Sequence, residues 1–362
     1  MIININRSDF KQIVKDDSLD LPKLWDGIDF NTTLDSLYNH YLDLLSLYIN
    51  EKDLNKVKEI CNGILKSVEE YHNGFPNKSF IEFNKTMNKL IEHPLTIYRK
   101  TGRTGAFDTN DPLMLFRVRK VQQNINYDIK DIFHTPYNCR SKISSCRYSI
   151  AGYPCLYLGT SVELCCEETN VNFPNDLTIV SRYKLERNML YNNEIEMDVL
   201  EFGVKPKDFI IRNTENNDLL CNRNNYGRRK LDEIDLNDIE TMVKYLYWYP
   251  LIAACSFVRP NRKDPFASEY VIPQLLMQWS RSQISDNKLF GIRYFSCSSI
   301  ISSELGFNYV FPVSGQKYSE NQCYCKVLAN VFKLTKPYYI NEFTSVKQCE
   351  KFLIDETEFS KI

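Results

Sequence analysis

The chain has 362 residues, 43% of them hydrophobic, enough to bury one large core or two smaller ones, and it reads as two domains. Its 45 Lys+Arg nearly balance 46 Asp+Glu, a formal charge of −1, so no global field draws it to nucleic acid or to an anionic membrane. No stretch approaches the ~20 apolar residues of a bilayer span, and Met1 to Asp20 carries Asp, Lys and Arg where an export signal would be apolar. The 12 Cys, scattered from Cys61 to Cys349, read as reduced thiols of a cytoplasmic protein and not as a disulfide frame.

Leu34, Leu37, Tyr38, Tyr41, Leu44, Leu45 and Tyr48 recur at three- and four-residue steps, and Leu54, Val57, Cys61, Ile64, Val68 and Tyr71 repeat the pattern, which predicts two amphipathic helices. His72-Asn73-Gly74-Phe75-Pro76 ends the second, and Ser79-Phe80-Ile81-Glu82 has the form of a capping box opening a third. Residues 1–105 are therefore expected to form an all-α N-terminal domain. Lys100 to Gly105, with the polar residues up to Asp111-Pro112, is turn-rich and makes the boundary. Beyond it Leu113 to Val118, Cys155 to Leu158, Leu177 to Leu185 and Tyr309 to Phe311 read as strands. Leu236 to Val258 and Tyr270 to Arg281 read as helices, the first apolar on most sides and so buried. Asn213 to Asn225 reads as a polar loop. The second domain, residues 111–362, is thus α+β, with an insertion over about residues 186–265.

No Walker loop, no Gly-x-Gly-x-x-Gly and no His-Glu-x-x-His occurs. Cys323 and Cys325, and the pair Cys139 and Cys146, match no common zinc spacing, so no metal is expected and the thiols read as buried or incidental. Nothing around Cys139 or Cys146 resembles a protease signature that would make either a nucleophile paired with His134.

Taken singly, an Arg or Glu at the end of an element is most often solvated, a Tyr is core and a Ser is a turn residue. The run from Cys146 to Glu168 puts an Arg, a Tyr and a carboxylate in one compact, strand-rich stretch, which by itself supports little beyond an anion site. Leu115-Phe116-Arg117-Val118, then Cys146-Arg147-Tyr148-Ser149 with Gly152, Pro154 and Leu156-Tyr157, then Thr160-Ser161 to Glu168, eleven residues after the tyrosine, resemble in order the opening blocks of the RES family of NAD-consuming toxins. Glu269 to Leu276, Phe290-Gly291-Ile292-Arg293-Tyr294-Phe295-Ser296 and Asn308 to Pro312 are similar to its late helix and closing strands. The likeness covers about residues 113–315; the first 105 residues and the last 45 or so have no counterpart in minimal members. Cys146 stands where Gly is usual and Ser149 where Asn is usual, and about 100 residues separate Glu168 from Tyr270, more than a minimal member needs.

The resemblance implies an ADP-ribosyltransferase-like split β-sheet domain with flanking helices, holding NAD as its substrate. It implies Arg147, Tyr157, Glu168 and Ser296 as catalytic residues, and Arg117, Arg147, Tyr157 and Ser296 as contacts to the dinucleotide. Glu168 would hold the ribose hydroxyls and stabilise the oxocarbenium-like cation that forms as nicotinamide leaves. Arg147 would anchor the pyrophosphate through its planar fork of donors, with Arg117 assisting it or holding the ribose side. Tyr157 would support the nicotinamide ring and Ser296 its carboxamide or ribose. Glu167 projects about 100° away around a helix, so one of the two glutamates faces the cleft; Arg119 and Arg293 are expected to be structural.

The expected activity is cleavage of the nicotinamide–ribose bond with transfer of ADP-ribose to water or phosphate, draining NAD, in a toxin or defence effector. The alternatives are a protein-directed ADP-ribosyltransferase and a catalytically silent NAD-binding or interaction module. An antitoxin or immunity partner, and self-association or regulation through the helical domain, are the expected partnerships.

Overall fold

The computed structural model describes residues 3–99, 114–185, 196–211, 235–284, 288–314 and 323–362. The boundary expected from Lys100 to Pro112, the loop Asn213 to Asn225 and parts of the expected insertion lie outside these residues. In chain order the helices are α1 (Arg7–Val14), α2 (Phe30–Ser46), α3 (Glu51–His72), α4 (Pro76–Leu90), α5 (Ile129–Ile132), α6 (Val162–Glu168), α7 (Asp208–Ile211), α8 (Ile239–Ala254), α9 (Val271–Ser282), α10 (Lys326–Val331) and α11 (Val346–Asp355). The strands are β1 (Thr96–Arg99), β2 (Leu115–Lys120), β3 (Cys155–Gly159), β4 (Thr178–Leu185), β5 (Glu196–Phe202), β6 (Lys288–Phe295), β7 (Phe307–Pro312), β8 (Phe332–Leu334) and β9 (Tyr338–Tyr339).

Two units separate by contact: the described parts of Met1–Thr96, Val204–Asn222 and Leu231–Trp279 form one, and those of Ile97–Gly203, Arg223–Lys230 and Ser280–Ile362 the other. Helix α8 and most of α9, which the sequence assigns to the second domain, thus group with the N-terminal helices. The reason lies in Pro250, inside α8. Proline has no N–H to give to the carbonyl four residues earlier, that of Leu246. The buried Tyr41 hydroxyl of α2 donates to that carbonyl at 2.8 Å, and Tyr38 donates to the carbonyl of Pro250 at 2.8 Å. Two tyrosines of the first predicted helix therefore complete the hydrogen bonding of a helix some 200 residues away in sequence.

In the same unit α4 starts at Pro76, and its N-cap, Phe75, offers no side-chain bond. Proline at the first helical position needs no partner for an N–H and already has a helical φ, so the helix begins three residues before the predicted cap. Ser79 lies inside the helix, and its buried hydroxyl donates to the Ser67 carbonyl of α3 at 2.6 Å.

The second unit is built on a nine-stranded mixed sheet in the order β1-β5-β6-β7-β3-β2-β4-β8, with β9 also paired to β4. Strands β5 and β6 run parallel, and the pairs β6–β7, β7–β3, β3–β2, β2–β4 and β4–β8 antiparallel. Arg293 of β6 and Glu201 of β5 form a buried ion pair, Nε to Oε2 at 2.5 Å, while Glu201 also accepts the Gly203 amide at 2.5 Å. A charge pair excluded from water needs this kind of additional hydrogen bonding to be tolerated, and it gives Arg293 a structural role. Helices α6 and α11 cover the β2 and β4 end: Val162, Cys165 and Cys166 pack with Phe116, Val118, Val180, Cys349 and Leu353 in one apolar cluster. The chain is therefore a mixed α/β protein with a helical unit and a sheet unit.

Candidate active site

Arg147 lies at the tip of a tight turn. The Cys146 amide donates to the Ser149 carbonyl at 2.8 Å and the Ser149 amide returns to the Cys146 carbonyl at 3.2 Å, leaving Arg147 and Tyr148 as the two turn residues. Just after it, Gly152 adopts a φ of +80°, a conformation open to glycine at no steric cost. The Tyr157 hydroxyl of β3 donates to Ser149 Oγ at 3.0 Å, so the Ser that replaces the expected Asn ties the Arg147 turn to the strand carrying Tyr157. Burial, then the Cys155 and Cys146 thiols, push the Tyr157 phenol well above its ordinary pKa and keep it a donor at neutral pH.

Glu168 closes α6, whose N-cap Ser161 accepts the Leu164 amide at 3.1 Å. The short helix delivers the carboxylate to the middle of the sheet. Asn308 Nδ2 of β7 donates to Glu168 Oε1 at 2.6 Å, and Ser298 Oγ donates to Oε2 at 3.0 Å. Asn308 is almost wholly buried, whereas Glu168 is exposed, so the carboxylate is held from below and open to solvent above.

The strand register explains the meeting. Asn308 stands opposite Gly159 on one side and Tyr294 on the other. A Cβ on Gly159 would lie 2.7 Å from Cys165 Sγ and 3.5 Å from Asn308 Oδ1, so glycine allows α6 to settle onto β3 at the point where Asn308 reaches Glu168. Tyr294, on the neighbouring strand, is buried and lies against Tyr148 with ring centroids 4.6 Å apart. Burial raises its phenol pKa well above normal; Glu168 raises it further and Arg147 opposes that, so this phenol senses both charges.

Arg117 of β2 is a second cation in the unit. Its Nη1 is buried and has no hydrogen-bond partner among the described residues. Burial lowers its pKa, the Tyr183 phenol counteracts this and Arg119 adds to it, with Cys165 and Tyr157 as further favourable neighbours. A buried guanidinium donor without a partner among the described residues is an uncommon feature.

Ser296 is placed differently from the other predicted residues. Its hydroxyl is fully buried, 2.9 Å from Ser302 Oγ, and accepts the Ser298 amide at 3.2 Å. It shapes the loop from which Ser298, two residues on, reaches Glu168. The structure thus brings Arg147, Tyr157 and Glu168 into one neighbourhood through Ser149, Tyr294, Asn308 and Ser298. Sequence reasoning missed the last three as site residues: Tyr294 and Asn308 lie inside blocks it quoted, but their polar groups sit among buried apolar neighbours and read as core.

His134 is buried and neutral. Burial lowers its pKa to about 4; Nδ1 lies 2.9 Å from the Thr135 carbonyl, and Nε2 accepts the Cys325 amide at 2.9 Å. Both ring nitrogens are thereby engaged with backbone, not with a thiol. Among the described residues no group of three or more His, Cys, Asp or Glu is arranged to hold a metal ion, and no helix is long and apolar enough to cross a membrane.

A Bacillus subtilis (strain 168) protein named "Putative toxin YopC" is 28% identical to this chain over 352 residues, covering 93% of this chain and 72% of that protein. No family model matches the chain, and no solved structure matches it. The chain is similar to a protein named as a toxin across both of its units.

Proposed function

We propose that the sheet unit is an ADP-ribosyltransferase-like domain that cleaves the nicotinamide–ribose bond of NAD, and that the protein acts as a toxin by draining NAD. The observation that carries this is the Glu168 carboxylate, fixed by Asn308 and Ser298 and facing the same phenol as Arg147. In the reaction the C1′–N bond breaks and its electron pair leaves with nicotinamide, whose ring nitrogen becomes neutral. The ribosyl cation is then captured by an oxygen of water, which releases a proton, or of phosphate. A carboxylate held in advance of the reaction stabilises that cation without reorganising, and its effect grows once bound substrate displaces the water around it. Arg147 and the Nη1 of Arg117, which has no partner among the described residues, supply two cationic contacts for the pyrophosphate.

Similarity to a protein named as a toxin supports the physiological role, and a cognate antitoxin is the partner such a role calls for. A second product is favoured by one feature: Ile300 and Ile301, 54% and 79% exposed, lie on the loop that carries Ser298 and offer an apolar edge to a macromolecular acceptor. Incubating the full chain with NAD, with and without phosphate, separates these outcomes. Free ADP-ribose or its phosphorylated form, with nicotinamide, is expected; label retained on protein would favour the second reading, and intact NAD would remove both. Glu168→Gln should lower NAD loss by at least about 100-fold with the folding transition in place, and undiminished loss in that variant would refute the assignment.

A further inference from the structure

Glu350 lies outside every block that resembles the RES family, yet it is bonded to the helix that carries Glu168. Its Oε2 accepts the amide of Val162, the first residue of α6, at 2.6 Å, and the side chain is only 6% exposed. Helix α6 has seven residues, so its two ends are separated by roughly 9 Å of rigid rise, and a constraint at Val162 is transmitted to Glu168.

The helix that supplies Glu350, α11, is itself anchored. Cys349 and Leu353 pack against Val162, Cys165 and Cys166. From β4, Arg182 Nη1 donates to the carbonyls of Leu353 at 3.1 Å, Ile354 at 2.6 Å and Glu356 at 3.3 Å, which closes the C-terminal end of α11.

We propose that Glu350 is a positioning residue for Glu168, and that the C-terminal helix α11 is a working part of the catalytic unit. This rests on the reading of Glu168 as the cation-stabilising carboxylate. The groups facing Glu350 are Glu163 on α6, Lys347 on its own helix, and the thiols Cys165, Cys166 and Cys349. Burial is the largest influence on its pKa and raises it to about 7; Glu163 adds to that, while the amides of Val162 and Glu163 and the charge of Lys347 oppose it. Near neutrality the group is therefore partly protonated, and its carbonyl oxygen still accepts the amide. A glutamine reproduces that arrangement.

The test compares the wild-type full chain with Glu350→Gln and Glu350→Leu. In Glu350→Leu, kcat for NAD loss should fall roughly 10–100-fold, the expected cost of misplacing a reacting group by about 1 Å. KM should stay within about twofold, because Arg147 and Arg117 lie on other elements, and Glu350→Gln should keep kcat within about threefold. Equal loss in both variants, no loss in either, or a loss confined to KM would overturn the proposal.

Amide exchange over residues 162–168 is the second readout: it should be faster in Glu350→Leu than in wild type or Glu350→Gln, and equal protection in all three would overturn the proposal. If wild type leaves NAD intact, the NAD reading fails by itself and the exchange data still decide the positioning role. Should Glu350→Leu not fold, wild type against Glu350→Gln decides. Protection of α6 against local opening that releases Glu350 while His134 stays buried, corrected for intrinsic exchange, should fall between about pH 5 and 7 in wild type alone; the same course in both proteins would overturn the proposal.

Discussion

At Arg117 the proposed binding role carries a cost in stability. Its buried Nη1 has no partner among the described residues, and a buried donor left unsatisfied costs about 1–3 kcal/mol. Arg117→Met keeps the length and apolar stem of the side chain and removes that cost. The variant is expected to be more stable than wild type by about 1 kcal/mol, read as a higher denaturant midpoint, while binding NAD more weakly; a stability loss, or unchanged NAD binding by calorimetry, would refute the trade. Arg147, Tyr157 and Glu168 were readable from the chain because they fall within 22 consecutive residues in a recognisable order. Asn308 and Ser298 were not, because each reaches Glu168 across at least 130 residues of sequence, and nothing local marks a buried Asn or a loop Ser as a carboxylate partner.

At the scale of elements, the site depends on how closely α6 approaches β3. Gly159 is where that distance is set. Gly159→Ala would bring a Cβ to 2.7 Å from Cys165 Sγ, in a helix packed too tightly to absorb it without moving. Overpacking of this kind costs about 1–3 kcal/mol, and because α6 ends at Glu168, NAD loss should drop with stability. Urea unfolding and an NAD assay on the same preparation would check this; full activity at reduced stability would show that α6 tolerates the shift. Strands and helices with a clean period were legible at this scale: β3, β4, α2, α3, α8 and α9 lie where apolar spacing predicts them, with ends moved by a few residues. Strand β5 was not, because Glu196, Asp198 and Glu201 interrupt its apolar run, and Glu201 is acceptable inside only because Arg293 of the adjacent strand neutralises it.

For the molecule as a whole, two buried titratable groups in the sheet unit set opposing pH dependences. Glu350, raised from 4.5 to about 7, holds a proton in the folded state that the unfolded chain has lost, so its contribution is full below about pH 4.5, declines as pH rises to about 7, and is level above. His134, lowered from 6.5 to about 4, does the reverse: its contribution is full above about pH 6.5 and is lost as pH falls toward 4. Between about pH 4.5 and 6.5 the two slopes cancel. Glu350→Gln should therefore unmask a stability that rises with pH across this window, and His134→Gln one that falls, each readable as the pH dependence of the sheet unit's melting temperature. Parallel curves for wild type and both variants would show that neither group titrates as described.

Composition and apolar period were sufficient to determine a helical N-terminal part followed by a mixed α/β part, because burial of alternating or three-to-four-spaced residues is a local property of the chain. The ordered run from Arg147 to Glu168 likewise needed no coordinates. Which helices join the N-terminal unit, which oxygen of Glu168 meets which partner, and how the C-terminal helix reaches α6 were decided only by tertiary structure. Each depends on pairings between residues at least 130 positions apart, fixed by strand register and by the need to satisfy buried polar groups, and neither of these is written in any local stretch of sequence.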